Sequence, residues 1–302
     1  MIERVLVVGA TGMLGRPVAE ALRRRGLIVR AFVREREKAE RLFGTGYEFV
    51  QGDVADEASI RHALEGCQAV HVSLSGGMNP KTIEQVEYHG TANVALAAAR
   101  ANVEHLTYLS GGNTSDQPIA SDPHLPMTSI AKSRAEDAIR RSGVPYTFFR
   151  STMYMETLPQ FVRGKRAVIF GKATHPFSWI AADDYAQLVV RALGNDQVKG
   201  KALFVKGPEA LTIEQALTLY RTFLVPSLTI THVPLWSLTT VASVSLSPVV
   251  REMAKSMRLF GTQPQPGDAS ECDHLLGPLT ETLERWCLAR SSMMQEQRKS
   301  SL

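Results

Sequence analysis

The stretch VLVVGATGMLGRPVAEAL, residues 5–22, carries a continuous apolar run, three glycines at equal spacing and a resumed helical pattern. Few folds accommodate that order. Val5, Leu6, Val7 and Val8 in succession suit a strand covered on both faces, as in a parallel sheet. Gly9 permits a tight exit from that strand, Gly12 leaves the backbone bare where a ligand must approach, and Gly15 lets the next helix pack close. The free N–H groups of that helix's first turn point at the ligand, and the helix dipole favours an anion. The segment therefore specifies a phosphate site.

Strand-like runs continue at residues 28–33, 47–50, 69–74, 105–109 and 146–149, with helical patterns between them at 35–43, 58–64, 82–101 and 129–142. Such alternation predicts an α/β fold, a doubly wound parallel sheet of the Rossmann kind. Gly143 and Pro145 stop the last of these helices before the sixth strand. After Arg150 the rhythm changes. A loop with short elements runs to Trp179, a helix covers 184–193, a short strand 202–206, and Thr212 with Gln215 has capping-box spacing at the start of a helix through Phe223. The remainder reads as helical and broken by prolines. The expected organisation is a nucleotide-binding domain over 1–152, to which about 180–206 return, a smaller and mostly helical lobe over 153–290, and a flexible polar tail over 291–302.

Composition narrows the function. With 302 residues, 44% hydrophobic and 21% charged, the chain reads as an ordinary globular protein, and its net charge of +4 is too mild to imply nucleic acid. Arg23, Arg24 and Arg25 close the first helix, where cations suit the dipole. Cys67, Cys272 and Cys287 are far apart and lack metal spacing, which fits a reducing cytoplasm. The first strand begins almost at Met1, leaving no room for a targeting segment. The apolar region 223–250 is broken by Pro226, His232, Pro234 and Pro248, so no membrane span is expected. The eight histidines form no close ligand pair. His71 and His105 lie in strand patterns as packed residues, and Asp183 with Asp184 opens a helix, so no metal is expected. Phe177 and Trp179 suit either a core or a pocket.

The nucleotide is read at the end of the second strand. Sites for NAD usually place an acidic residue about 20 positions past the glycines, on the ribose hydroxyls. Arg34 stands there instead, in AFVRERE. Arginine cannot accept from two hydroxyls but pairs bidentately with a 2′-phosphate, and Arg36 and Lys38 add charge, so NADP(H) is favoured over NAD(H). Asp53, in QGDVAD, follows the third strand. It suits an adenine amino group and a turn equally well.

Together these residues resemble the short-chain dehydrogenase/reductase superfamily, and more closely its atypical NmrA-like branch. The resemblance rests on VLVVGATGMLG, VRERE, GDVAD, HLTYLSGG, SIAKSRAEDAIRRSGVPYTFFR and FSWIAADDYAQLVVRAL, in order over residues 1 to about 195. It implies that Gly9, Thr11, Gly12, Met13, Leu14 and Gly15 surround the pyrophosphate, that Arg34 holds the 2′-phosphate, and that Asp53 and Val54 meet the adenine. It further implies that Ser73, Leu74 and Ser75 flank the nicotinamide ribose, that Lys132 hydrogen-bonds it, and that residues 151–154 lie near the carboxamide.

One part of the pattern is missing. Classical members place a tyrosine acid four residues before the lysine. Here Thr128 stands four before Lys132, and none of the seven tyrosines has a lysine four positions later. The substrate-orienting serine of those members falls near Ser110 but one position on, at Gly111. General acid catalysis is typically worth about 10² to 10⁴ in rate, so an unactivated ketone is a poor substrate, whereas a quinone, whose reduced form is a stable anion, is not. The expectation is a cytoplasmic NADP(H)-dependent oxidoreductase acting on an activated small-molecule acceptor, with Ser110, Thr128 and Lys132 nearest the nicotinamide. The rival is a non-catalytic NAD(P) sensor that reports to a protein partner. A sugar-nucleotide epimerase is disfavoured because those relatives keep the tyrosine.

Overall fold

β1 (Arg4–Val8) is buried on both sides because its side chains feed two separate cores. Val5 and Val7 pack into one, and Leu6 and Val8 into the other. The computed structural model describes residues 2–114 and 124–300, with side chains to residue 296. Around β1 lie β2 (Ile28–Val33), β3 (Glu48–Gln51), β4 (Ala69–Val72), β5 (His105–Gly111) and β6 (Tyr146–Ser151). Helices α1 (Gly15–Arg24), α2 (Arg36–Phe43), α3 (Glu57–Leu64), α4 (Pro80–Ile83), α5 (Thr91–Arg100) and α6 (Met127–Ser142) connect them.

The rest of the chain comprises β7 (Val162–Arg163), β8 (Arg166–Phe170), β9 (Phe177–Ser178), α7 (Ala182–Ala192), β10 (Lys201–Phe204), β11 (Ala210–Leu211), α8 (Ile213–Phe223), β12 (Thr229–Val233), α9 (Leu235–Val244), α10 (Pro248–Thr262), α11 (Ser270–Leu276) and α12 (Leu283–Ser300). The main sheet has seven strands in the order β10-β6-β5-β4-β1-β2-β3, and every pairing is parallel. The strand order reverses between β1 and β4, which is where doubly wound sheets bind ligands.

Three features differ from the sequence reading. The helix expected over 82–101 is interrupted by a π-helical turn, Glu84–Gly90, between α4 and α5. The second lobe is mostly helical as expected, but within the stretch read as helical β12 forms a strand that pairs parallel to β8, and β7 completes a three-stranded sheet. The β12 strand is a short, largely exposed edge, and an edge strand lacks the apolar run that marks a buried one. Where a flexible polar tail is expected from Ser291, α12 continues to Ser300. That segment contains neither glycine nor proline and is rich in good helix formers. The last two residues lie outside the described residues.

The lobe has its own core of Met153, Met155, Leu158, Ile169, Ile213, Leu217 and Trp286. Phe177 and Trp179 belong to it, and the Trp179 indole donates to the Leu211 carbonyl at 3.0 Å. Thr212 and Gln215 close a reciprocal capping box on α8, and Gly143 ends α6 in the left-handed region at φ 79°. The three cysteines are buried free thiols. Among the described residues no helix is long and apolar enough to cross a membrane.

His71 and His105 are buried in the central strands, hydrogen-bonded to Thr107 Oγ1 and Thr147 Oγ1 at 3.0 and 2.9 Å. Burial pushes His71 down to about 3 and His105 down to about 4, from an ordinary 6.5. Both are therefore neutral in the folded chain at neutral pH. A histidine depressed in this way contributes stability that is present above its unfolded pKa and lost as the pH falls toward the folded value. Between pH 6 and pH 5 the unfolding free energy should fall by about 1.4 kcal/mol per unit for each of the two. Urea unfolding at both pH values should show this slope, and His105→Asn should remove roughly half of it. Equal slopes in parent and variant would refute the assignment.

Candidate active site

The carboxyl ends of the strands open into a groove with two connected halves, of about 430 and 440 Å³, that share Gly12, Ser73, Leu74 and Ser75. The first half lies beside β2 and is lined by Gly9, Thr11, Gly12, Arg34, Asp53 and Val54. The second runs toward β5 and β6, past Met13, Leu14, Glu87, Ser110, Gly111, Thr128 and Lys132.

The three glycines have three distinct tasks. Gly9 sits at φ +89°, and a Cβ there would lie 2.4 Å from the Ser73 carbonyl oxygen. A Cβ on Gly15 would lie 2.1 Å from the Gly9 carbonyl oxygen, so Gly15 lies beneath the turn rather than in the groove wall. At Gly12 a Cβ would meet only the Gly9 carbonyl, at 3.1 Å, and otherwise faces the groove. No side chain caps α1; Arg16 N–H bonds back to the Gly12 carbonyl at 3.0 Å and Pro17 has no N–H, so the N–H groups of Met13, Leu14 and Gly15 are the ones at this turn without a partner among the described residues. Two hydroxyls in the wall, Ser73 Oγ and Thr152 Oγ1, are buried with no hydrogen-bond partner among the described residues. Leaving such groups unpaired costs about 1–3 kcal/mol each. A bare glycine backbone, a free helix N-terminus and orphaned hydroxyls fit a dinucleotide.

In the first half, Arg34 is exposed on the groove wall and its guanidinium has no ion-pair partner among the described residues. Arg36 and Lys38, expected to add charge, are instead paired with Glu40 at 2.7 Å and Glu35 at 3.5 Å on the surface of α2. Asp53 makes a turn, its Oδ1 accepting from the Ala55 N–H at 2.9 Å, while also lining the groove. The turn reading of Asp53 is therefore met, and its place in the wall leaves it available to a ligand.

In the second half, Lys132 Nζ donates to the Leu109 carbonyl at 2.9 Å and lies 5.5 Å from the Tyr108 ring centroid. Burial lowers the pKa of its ammonium, while the Glu87 and Glu136 carboxylates oppose that shift. A Cβ on Gly111 would lie 3.3 Å from Lys132 Cδ, so position 111 is the one on β5 that faces the lysine, and it carries no hydroxyl. Ser110 borders the groove, but its hydroxyl donates to Glu136 at 2.5 Å. Ser110 thus lines the same half of the groove as Thr128 and Lys132, with its hydroxyl turned to Glu136. Glu136 is fully buried and binds Arg150 at 3.0 and 2.6 Å and Arg140 at 3.1 Å. Tyr154 also reaches the groove and donates to Ser151 Oγ at 2.9 Å. Burial pushes its phenol above the ordinary range, so it is no substitute for the missing acid.

Thr128 donates from Oγ1 to Glu87 Oε2 at 2.8 Å, and Glu87 Oε1 accepts from the Gly76 N–H at 2.8 Å. Glu87 is 3% exposed and went unnoticed in the sequence, where it is one polar residue in an amphipathic helix pattern. The π-helical turn inserts an extra residue and rotates it inward; such turns are frequent at functional sites. The roof residues Ser256, Leu259 and Phe260 on α10 also carry no sequence signal. Glu252 holds that roof in place by accepting from the Met127 N–H, at the start of α6, at 2.7 Å. Asp183 and Asp184 lie in the first turn of α7, and Asp184 accepts from the N–H groups of Thr280 and Glu281.

Comparison with known proteins places this geometry. The NmrA-like family model matches residues 1–290. A Streptomyces griseus protein, (4-alkanoyl-5-oxo-2,5-dihydrofuran-3-yl)methyl phosphate reductase, is 35% identical over 216 residues, covering 70% of each chain. The NAD(P)H azoreductase of Xenophilus azovorans is 29% identical over 212 residues, covering 69% of each. An Escherichia coli NADPH-dependent quinone oxidoreductase solved with NADPH superposes with a TM-score of 0.72 at 23% identity, over 96% of this chain and 99% of that one. The chain belongs to the NmrA-like family, with the glycine-lined groove of an NAD(P)-binding oxidoreductase.

Proposed function

We propose that this protein is an NADPH-dependent reductase of electron-poor acceptors: quinones, azo compounds or unsaturated lactones, the classes for which its relatives are named. The observation that carries the reading is the second half of the groove. It has a lysine placed to hold a ribose and a position 111 without a hydroxyl, and Thr128 stands where the classical acid would be. When bound, the dinucleotide supplies hydride.

The chain's own residues do the rest. Gly12 and the first turn of α1 take the pyrophosphate, Arg34 takes the 2′-phosphate, and Ser73 and Thr152 present hydroxyls to groups of the bound nucleotide. Lys132 is anchored through Leu109, which fixes the direction of its remaining N–H bonds. The roof of Leu259 and Phe260 excludes water from an apolar acceptor. An acceptor whose reduced form is a weak base then does not need the tyrosine acid of the classical members.

Steady-state NADPH oxidation with a panel of quinones and azo dyes tests this. Turnover that rises with the electron affinity of the acceptor is expected. Micromolar NADPH binding with no turnover on any acceptor would favour a non-catalytic sensor reporting to a protein partner. The presence of a buried carboxyl at the acceptor end argues against that reading, because a sensor has no use for one.

Cofactor choice has its own test. Charge-assisted bonds from Arg34 to a 2′-phosphate are worth about 1.5–3 kcal/mol, so Arg34→Ala should lose roughly 10- to 100-fold in NADPH affinity by calorimetry. NADH affinity should hardly move. Equal losses for both would show that Arg34 does not read the phosphate.

A further inference from the structure

Two buried glutamates lie near the second half of the groove, Glu87 in its wall and Glu136 behind Ser110, and they are treated differently. Glu136 is neutralised by Arg150 and Arg140. Glu87 has no cation within ion-pair distance among the described residues; its partners are two neutral donors, the Gly76 N–H and the Thr128 hydroxyl. A buried carboxyl is normally paired, and one left unpaired beside a ligand groove marks a functional group. Close packing maintains the arrangement. A Cβ on Gly76 would lie 2.5 Å from Ile83 Cα, so only glycine lets this N–H reach Glu87.

We propose that Glu87 is the proton source for the acceptor and works through the hydroxyl of Thr128. The proposal rests on the reductase reading above. The direction of one hydrogen bond depends on Glu87. When Glu87 is ionised, Thr128 donates to it and turns lone pairs to the groove. When Glu87 is protonated, it donates to Thr128 Oγ1, whose own hydrogen then faces the groove.

In reduction, two electrons arrive as hydride from a reduced nicotinamide, and the acceptor gains a negative charge. The Thr128 O–H bond breaks, and its proton goes to that anion. The Glu87 O–H bond breaks in turn, and its proton re-forms the hydroxyl. Glu87 is left as a carboxylate and takes a proton from water at the groove mouth, where Ser75 and Gly77 are exposed. The charged and titratable groups that face Glu87 are Lys132 on α6 and Tyr108 on β5; on its own turn, Glu84 is paired with Arg134 at 2.8 Å.

Glu87→Gln tests the relay with little change of shape. The Gly76 N–H must still find an oxygen, so the new amide turns its NH₂ to Thr128 and fixes that hydroxyl as a donor to the groove. A Gln cannot release a proton. Turnover on a quinone should fall about 100-fold, with NADPH affinity within about threefold of the parent. Thr128→Val should fall as far and Thr128→Ser should stay near the parent, which carries the test if Glu87→Gln does not fold.

A second readout needs no turnover. The NADP⁺ complex is titrated with 4-nitrophenol, whose absorbance reports its own protonation. The parent should bind it as the phenol, donating to Thr128. Glu87→Gln should bind it with an ionised fraction at least tenfold larger. Quinone turnover by Glu87→Gln at the parental rate, an equal ionised fraction in both proteins, or no binding of the phenol by the parent would each overturn the relay. A parent inert toward every acceptor would instead overturn the reductase reading, and the phenol titration would still decide the polarity of Thr128.

Discussion

Gly12→Val is expected to fold like the parent and to bind no dinucleotide. The three glycines of the first turn separate stability from binding. A side chain on Gly9 or Gly15 collides with backbone at 2.4 and 2.1 Å, and Gly9 is also in the left-handed region, so substitutions at either position strike the fold. A side chain on Gly12 meets one carbonyl at 3.1 Å and then points into the groove. Valine therefore asks of the protein a small shift of the Gly9 carbonyl, but occupies the place proposed for the pyrophosphate. The expected loss of NADPH affinity exceeds about 100-fold, or about 2.7 kcal/mol by the tenfold-per-1.4 rule. The urea midpoint should stay close to the parental value. Calorimetry and denaturation on the same preparation check both halves. Gly12→Val binding NADPH like the parent would remove the phosphate site from this turn.

The largest loss of stability is expected at a residue that touches no ligand. Arg150 is 3% exposed and forks onto Glu136, which is 0% exposed, with contacts of 3.0 and 2.6 Å. Removing one partner of such a pair leaves a buried charge uncompensated and typically costs about 3–5 kcal/mol. Arg150→Met should show that loss as a lower urea midpoint with an unchanged slope. Arg140, 27% exposed at its side chain, remains on Glu136 and sets the loss toward the lower end. The double variant Arg150→Met with Glu136→Gln should recover part of the loss, since the orphaned charge is gone. A single variant as stable as the parent would show that the Arg150–Glu136 pair does not hold this part of the fold. Because Ser110 and Thr114 also donate to Glu136, the same variant should loosen the groove floor and weaken NADPH binding modestly.

What was legible in the sequence is what local geometry decides. A strand, three glycines and a helix lie within one short stretch, and their tasks follow from φ angles and close approaches along that stretch. The place of Arg34 on the groove wall is legible because it directly follows the neighbouring strand, and strand ends are where the sheet opens into the groove. The absence of a tyrosine acid is legible because the relevant spacing lies within a single helix.

Glu87 is not legible for the opposite reason. Its meaning depends on Thr128, 41 residues away, and on a π-helical turn that no apolar spacing announces. The direction of the Ser110 hydroxyl is not legible either, because its partner Glu136, 26 residues on, is invisible until α6 packs on β5. The roof of Leu259 and Phe260 depends on the docking of α10 through Glu252, whose partner Met127 is 125 residues distant. Each of these is a tertiary contact between segments whose own patterns are ordinary.

The central claim is hydride transfer to acceptors that need no tyrosine acid. The most direct test mixes the NADPH complex with 1,4-benzoquinone and, separately, with a saturated ketone of similar size, following NADPH absorbance through a single turnover. Oxidation by the quinone at least about 100-fold faster than by the ketone is the predicted result, because the quinone's reduced form is a stable anion whereas the ketone yields a strongly basic alkoxide that calls for the missing tyrosine acid. Equal rates for the two acceptors, or efficient reduction of the ketone alone, would contradict it.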